Sequence, residues 1–277
     1  MADIGHWRPA MGTHAILMAS VAITFKESVN ERPWRRIREV VSKAGRQAGL
    51  REMQSIQTIE MQIGPSATPA VTTGSSGAFE LIKRNGSEIV EKIQVLRNGI
   101  TLENHRYTRW KPMKDRVLAL MQSAFEIYSE SVDLSNLTAS YQDGFRATSP
   151  DQDLDCSLII DPSSPYVAGG AFNPTKQWHT HSGWFESVPD KPWIRRLQQV
   201  NIDVADAAFP EGPTRVAQIT TTVSGQFNQA GLPASPAHDQ TWDAALQGIQ
   251  SSHERLKGML ALVLTEKARA AISLGSK

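Results

Sequence analysis

An α+β fold, a curved antiparallel sheet with amphipathic helices packed on one face, is predicted by three observations. The stretch 15–25, AILMASVAITF, alternates with period two. Two Asn-Gly pairs, Asn85-Gly86 and Asn98-Gly99, separate short alternating runs, the pattern of antiparallel hairpins. Segments with apolar residues three and four apart stand before, between and after the strands.

Each element follows in order. In 15–25, Leu17, Ala19, Val21, Ile23 and Phe25 share one strand face. The next segment, 31–50, places Trp34, Ile37, Val41, Ala44 and Ala48 on one helical stripe, with Pro33 in the first turn and Gly49 as the C-terminal cap. IQTIEMQIG sets Ile59, Met61 and Ile63 on one side of a second strand, and GPSATPAVTTGSSG (64–77) reads as an exposed loop. AFELIKR, EIVEKIQVLR and ITLENHR then make a three-stranded meander. A helix over 112–130, opened by Pro112, buries Met113, Val117, Leu120, Ala124 and Ile127.

The second half repeats the order loosely. LTASYQDGFRA (137–147) is a strand with Leu137, Ala139 and Tyr141 on one side, and 148–176 is irregular apart from the strand-like CSLIID. QWHTHSGWFES and RRLQQVNIDVADAAF pair across VPDKPW, and RVAQITTTVSGQF adds a further strand. A long helix closes the chain, its seam traced by Trp242, Leu246, Ile249, His253, Leu256, Leu260 and Val263. The division is an N-terminal α+β half, 1–131, and a C-terminal half, 132–277, read either as two units or as one continuous domain with a duplicated strands-then-helix architecture.

Composition excludes several classes. The 277 residues are 40% hydrophobic and 21% charged with a formal charge of +1, which fits a soluble globular chain and supplies no global field toward nucleic acid or membrane. One cysteine, Cys156, rules out a disulfide framework and favours the cytoplasm. The start, MADIGHWRPAMGTH, lacks a basic segment followed by an apolar one, and 15–25 is too short to span a bilayer.

Four stretches carry a resemblance: ILMASVAITF; ITLENHRYTRWKPM with Tyr107 and Trp110; LTASYQDGF; and IQSSHERLKGMLALVLTEKARAAI with Thr265-Glu266. On these the chain resembles a sporadically distributed bacterial family of about this length whose activity is not established. Ser140 departs from that pattern, which carries arginine before the aromatic residue. The resemblance supplies no catalytic residues; its patchy distribution implies toxin–antitoxin or phage-defence loci.

The chemical candidates are few. His179 and His181 in QWHTHSGWF share a strand face roughly 7 Å apart, close enough to ligate one metal if the hairpin register brings Asp203 opposite. The competing reading leaves both histidines on a solvated face with Trp178 and Trp184 turned the other way. His253 sits inside the apolar seam, where a packed imidazole bonded to a loop carbonyl is expected. Asp151, Asp153 and Asp155 alternate like calcium ligands but lack the glycine and glutamate of an EF-hand loop. TTGSSG and AGG lack the phosphate-loop form, no Gly-x-Ser-x-Gly elbow is present, and Cys156 has no catalytic signature.

One feature is strongly one-sided. On 32–51, Arg35, Arg36, Lys43 and Arg46 project outward as a basic stripe able to meet phosphates or an acidic protein surface. The sequence therefore predicts a non-enzymatic protein without cofactor, acting by binding another protein, such as the product of a neighbouring gene or a second copy through the last helix. Nucleic-acid binding by the basic helix and a metal-dependent hydrolase or nuclease at His179 and His181 are the alternatives.

Overall fold

The structure, a computed structural model, describes residues 4–12, 14–56, 58–62, 70–74, 77–148, 154–210 and 212–274, with backbone alone over 58–62 and 70–74. Its elements are β1 (Trp7–Pro9), β2 (Ile16–Phe25), α1 (Glu31–Gln47), β3 (Glu52–Ser55), β4 (Thr58–Gln62), β5 (Ala70–Gly74), β6 (Phe79–Asn85), β7 (Glu88–Leu96), β8 (Gly99–Asn104) and α2 (Trp110–Ser129). They continue with β9 (Leu134–Ala147), β10 (Trp178–Val188), β11 (Lys191–Phe209), β12 (Gly212–Phe227), α3 (Trp242–Val263) and α4 (Glu266–Ala271). The fold is α+β, and ten strands form one open antiparallel sheet in the order β10-β11-β12-β9-β2-β8-β7-β6-β3, with β1 continuing the β2 side of β9. No helix among the described residues is long and apolar enough to cross a membrane.

A strand from before α2 and one from after it meet at the β2–β9 pair, where Val21 stands opposite Ala139. In the first half β2 pairs with β8, the last strand of the β6–β7–β8 meander, and β8 leads into α2. In the second half β9 pairs with β12, the last strand of β10–β11–β12, and β12 leads toward α3.

Alternation decides which side of the sheet is covered. Leu81, Ile93, Leu102, Val21, Ala139 and Val223 stand in one cross-strand row, all buried. Against this side pack α2 on β2 and β8, and α3 on β9 and β12; α1 lies beside α2 and seats Trp34 on Phe79. Gly45 of α1 lies so close to Leu81 that a Cβ there would clash with its Cδ1, and the glycine lets helix and strand approach. Phe25 stacks on Tyr128 at 4.6 Å and tilts against Phe125, which meets Trp242 edge-on. The Tyr128 hydroxyl donates to the turn carbonyls of Leu96 and Gly99.

Several expectations shift. Residues 70–74, read as loop, form β5 and pair with β4. The meander turns sit one residue from the Asn-Gly pairs, on Gly86-Ser87 and Arg97-Asn98. Gly99 opens β8 instead, where an added Cβ would come within 2.8 Å of the Ile23 carbonyl oxygen. The β10–β11 turn is tighter than VPDKPW, with Asp190 at φ 62°. The closing helix breaks at Leu264, whose extended backbone bridges to Ile160, and Thr265 caps α4 by accepting from the Ala268 N–H. The seam of α3 is largely buried against β9 and β12, so it serves the chain's own core.

Candidate functional site

His179 and His181 lie on β10, both exposed, their ring centroids 5.6 Å apart. The register is the one that sets His179 opposite Asp203, and His181 faces Asn201. Trp178 is buried on the other side, and Trp184 stacks on Tyr166 at 5.1 Å. Among the described residues no three His, Cys, Asp or Glu side chains converge as a metal site. Asp151 and Asp153 lie outside the described residues; Asp155 accepts from the Ser157 N–H at 2.8 Å and starts a single 3-10 turn. Of TTGSSG, Ser75 and Ser76 lie outside the described residues, and Gly169 and Gly170 of AGG face open space. Cys156 is buried and accepts from Trp178 Nε1 at 3.4 Å.

The α1 cations divide in two. The Arg36 guanidinium grips both oxygens of Glu130 at 2.5 and 2.9 Å, and Arg35 lies 4.0 Å from Glu31. Lys43 and Arg46 are exposed, with no ion pair among the described residues. The stripe exists in space, with its N-terminal part compensated and its C-terminal part free.

His253 is buried, but its partner is not a loop carbonyl. Its Nδ1 lies 2.7 Å from the Tyr141 hydroxyl of β9, and its ring stacks on Trp110 at 4.3 Å. Burial lowers its pKa to about 4, which favours the neutral imidazole, and its Nε2 lies 3.6 Å from Glu254. Tyr107 packs at 5.4 Å from Tyr141, and burial raises both phenols. Two residues along β9 is Asp143, fully buried, with neither oxygen hydrogen-bonded among the described residues and its pKa raised to about 7 by desolvation. This cluster ties the loop before α2, β9 and α3 together. In it the Tyr141 hydroxyl lies beside the His253 imidazole, and burial holds the phenol against ionisation.

The sheet face opposite the helices is where the sequence reading was silent. One cross-strand row on it runs Lys92, Glu103, Ser20, Ser140, Thr222 and Gln199. The next runs Gln94, Thr101, Ala22, Thr138, Ser224 and Leu197. Between Met18 and Thr24 of β2, Asn136 and Gln142 of β9, and Gln218 and Gln226 of β12, the side chains of this face are hydroxyls, amides, Ala22 and Met18; toward the end of β9, Arg146 lies on the same face over the Phe209 ring. Several satisfy one another: Ser140 and Thr222 oxygens lie 2.9 Å apart, Thr138 and Ser224 2.8 Å, and Asn136 Nδ2 donates to Thr24 Oγ1 at 3.0 Å. At the border lies the edge strand β10, whose outer backbone makes no backbone hydrogen bond to any described residue. Beside that edge Phe185 is 57% exposed under the Arg195 guanidinium.

No protein-family model matches the chain, and no curated protein is similar to it.

Proposed function

We propose that the chain is a non-enzymatic interaction protein, acting in the cytoplasm, that docks a partner protein on the open face of its sheet. The supporting observation is the uncharged centre of that face. Covering charged groups carries a large desolvation cost, whereas these hydroxyls already bond one another, so a partner can cover them without stranding donors. A polyanion would instead require cations across the same surface. The unpaired edge of β10 and exposed Phe185 extend the surface for an added strand. The same reading takes the two halves as copies of one strands-then-helix unit about the β2–β9 pair, giving a curved sheet with one continuous open face. Toxin–antitoxin or phage-defence loci, implied by the resemblance, make the product of a neighbouring gene the first partner to test.

The test places a photo-crosslinking residue at Thr222 on the open face and, separately, at Leu118, exposed on α2. A discrete adduct with the neighbouring product from position 222 and none from 118 is expected, and Ser140→Arg should abolish it. Adducts equally abundant from both positions would refute docking on this face.

A second reading is nucleic-acid binding by α1, favoured by unpaired Lys43 and Arg46. It requires binding that weakens with salt, with a log–log slope that falls by about one for each of Lys43→Ala and Arg46→Ala. Unchanged slopes would make the stripe solvated surface only.

A further inference from the structure

Two cavities share Lys83 in their lining, toward the β3 edge of the sheet and away from β10. The first, about 340 Å³, lies where the α2 N-terminus meets β6, β7 and β8. Lys83, Glu91 and Asn104 stand side by side across those strands as part of its lining, with Arg106, Arg109 and Arg116 above them. The second, about 430 Å³, shares Lys83 and adds Arg51, Glu52 and Arg84.

Not all of these cations are spent on the fold. Arg116 forms a bidentate pair with Glu91 and donates to the Ala48 carbonyl. Arg106 is held by Glu88 at 2.7 Å, and Arg84 by Glu52 at 2.8 Å. Lys83, Arg109 and Arg51 have no ion-pair partner among the described residues. Each cavity thus has an arginine of its own without a counter-charge, and the lysine they share is also unpaired. Arg109 further occupies the N-cap position of α2 without making a side-chain cap, and the first turn of that helix contains no acidic residue. An anion would complete both the helix end and the unpaired guanidinium.

We propose that the two cavities on either side of Lys83 together bind a small ligand bearing two phosphoryl groups, one held by Arg109 and one by Arg51, with Lys83 between them. Guanidinium forks and a lysine suit phosphoryl oxygens, and a cavity of this size accepts a compact molecule and excludes a folded partner. The first cavity lies on the helix-covered side of the sheet, and the proposal does not depend on the docking reading.

The test is isothermal titration calorimetry with pyrophosphate at ionic strength held constant with NaCl. One equivalent binds the parent, and Arg109→Ala and Lys83→Ala each weaken binding roughly tenfold, as loss of a charge-assisted contact does. Both side chains lie outside the buried core, and circular dichroism melts confirm that the variants fold. Lys267→Ala, exposed on α4, leaves the affinity unchanged. No heat at millimolar pyrophosphate overturns the proposal, as does equal weakening by Lys267→Ala, which marks diffuse charge attraction. Citrate binding as tightly as pyrophosphate overturns the phosphoryl assignment.

Discussion

Asp143→Asn should change the pH dependence of stability in a way that isolates one buried carboxyl. Desolvation raises Asp143 from 3.8 to about 7, so the folded state holds its proton more tightly than the unfolded chain. Its contribution is complete below pH 3.8 and is lost as pH rises to 7, at ~1.4 kcal/mol per pH unit and roughly 4 kcal/mol in all. His253 has the opposite sign: burial lowers it from 6.5 to about 4, so stability present above 6.5 is lost as pH falls toward 4. Between pH 4 and 6.5 the two slopes cancel in the parent. Removing the carboxyl exposes the His253 slope, and stability of the variant relative to the parent should climb by about 3 kcal/mol from pH 4 to 6.5. Urea unfolding followed by tryptophan fluorescence at half-unit steps measures this. The carboxylates lowered by arginine contacts, such as Glu130 and Asp206, contribute equally to both proteins and drop out of the difference. A difference constant to within about 0.5 kcal/mol across that range would refute the assignment of an unpaired, buried Asp143.

Arg116→Ala should destabilise by roughly 3 kcal/mol or more in the same unfolding assay, because it leaves the carboxylate of Glu91 buried without its partner. Gly99→Ala should cost about 1–3 kcal/mol, since its Cβ would come within 2.8 Å of the Ile23 carbonyl oxygen, and β2 and β8 must part to admit it. Protein purified without a histidine tag should contain less than about a tenth of an equivalent of zinc by elemental analysis, since Asp203 and Asn201 opposite the two histidines do not complete a three-ligand set.

The strands most visible in the sequence are those with one buried face. Ala19, Val21, Ile23 and Phe25 alternate because α2 covers one side of β2, and burial leaves its imprint at every second residue. Leu17 falls out of step because the pairing with β9 shifts between Ile16 and Met18. α1 and α2 were legible for a similar reason, their stripes being set by one neighbouring surface. β5 was hidden because Thr and Gly dominate a stretch whose pairing with β4 is supplied by backbone bonds. The break before α4 lies inside an unbroken apolar seam, and its cause, the bridge from Leu264 to Ile160, is over 100 residues distant.

The candidate surfaces were legible to different degrees. Arg35, Arg36, Lys43 and Arg46 come from one helix, so their common exposure follows from periodicity alone. The hydroxyl face looks like an ordinary polar side in each strand, and becomes distinctive only when β9, β2 and β12 are set side by side. Lys83, Arg109 and Arg51 meet around their cavities from three separate segments. Tyr141 was visible as a core residue, but its bond to His253 spans 112 positions and had no local signature.

The junction of β2 with β9 has a consequence for synthesis on the ribosome. β2 acquires its first neighbour when residues 99–104 emerge, yet its other border stays bare until 134–143 follow. Throughout that interval the nascent chain presents an apolar, ten-residue rim with no charge to repel a neighbour. Translation pausing between those two segments should favour mispaired chains, and a brisk passage through them should suppress it.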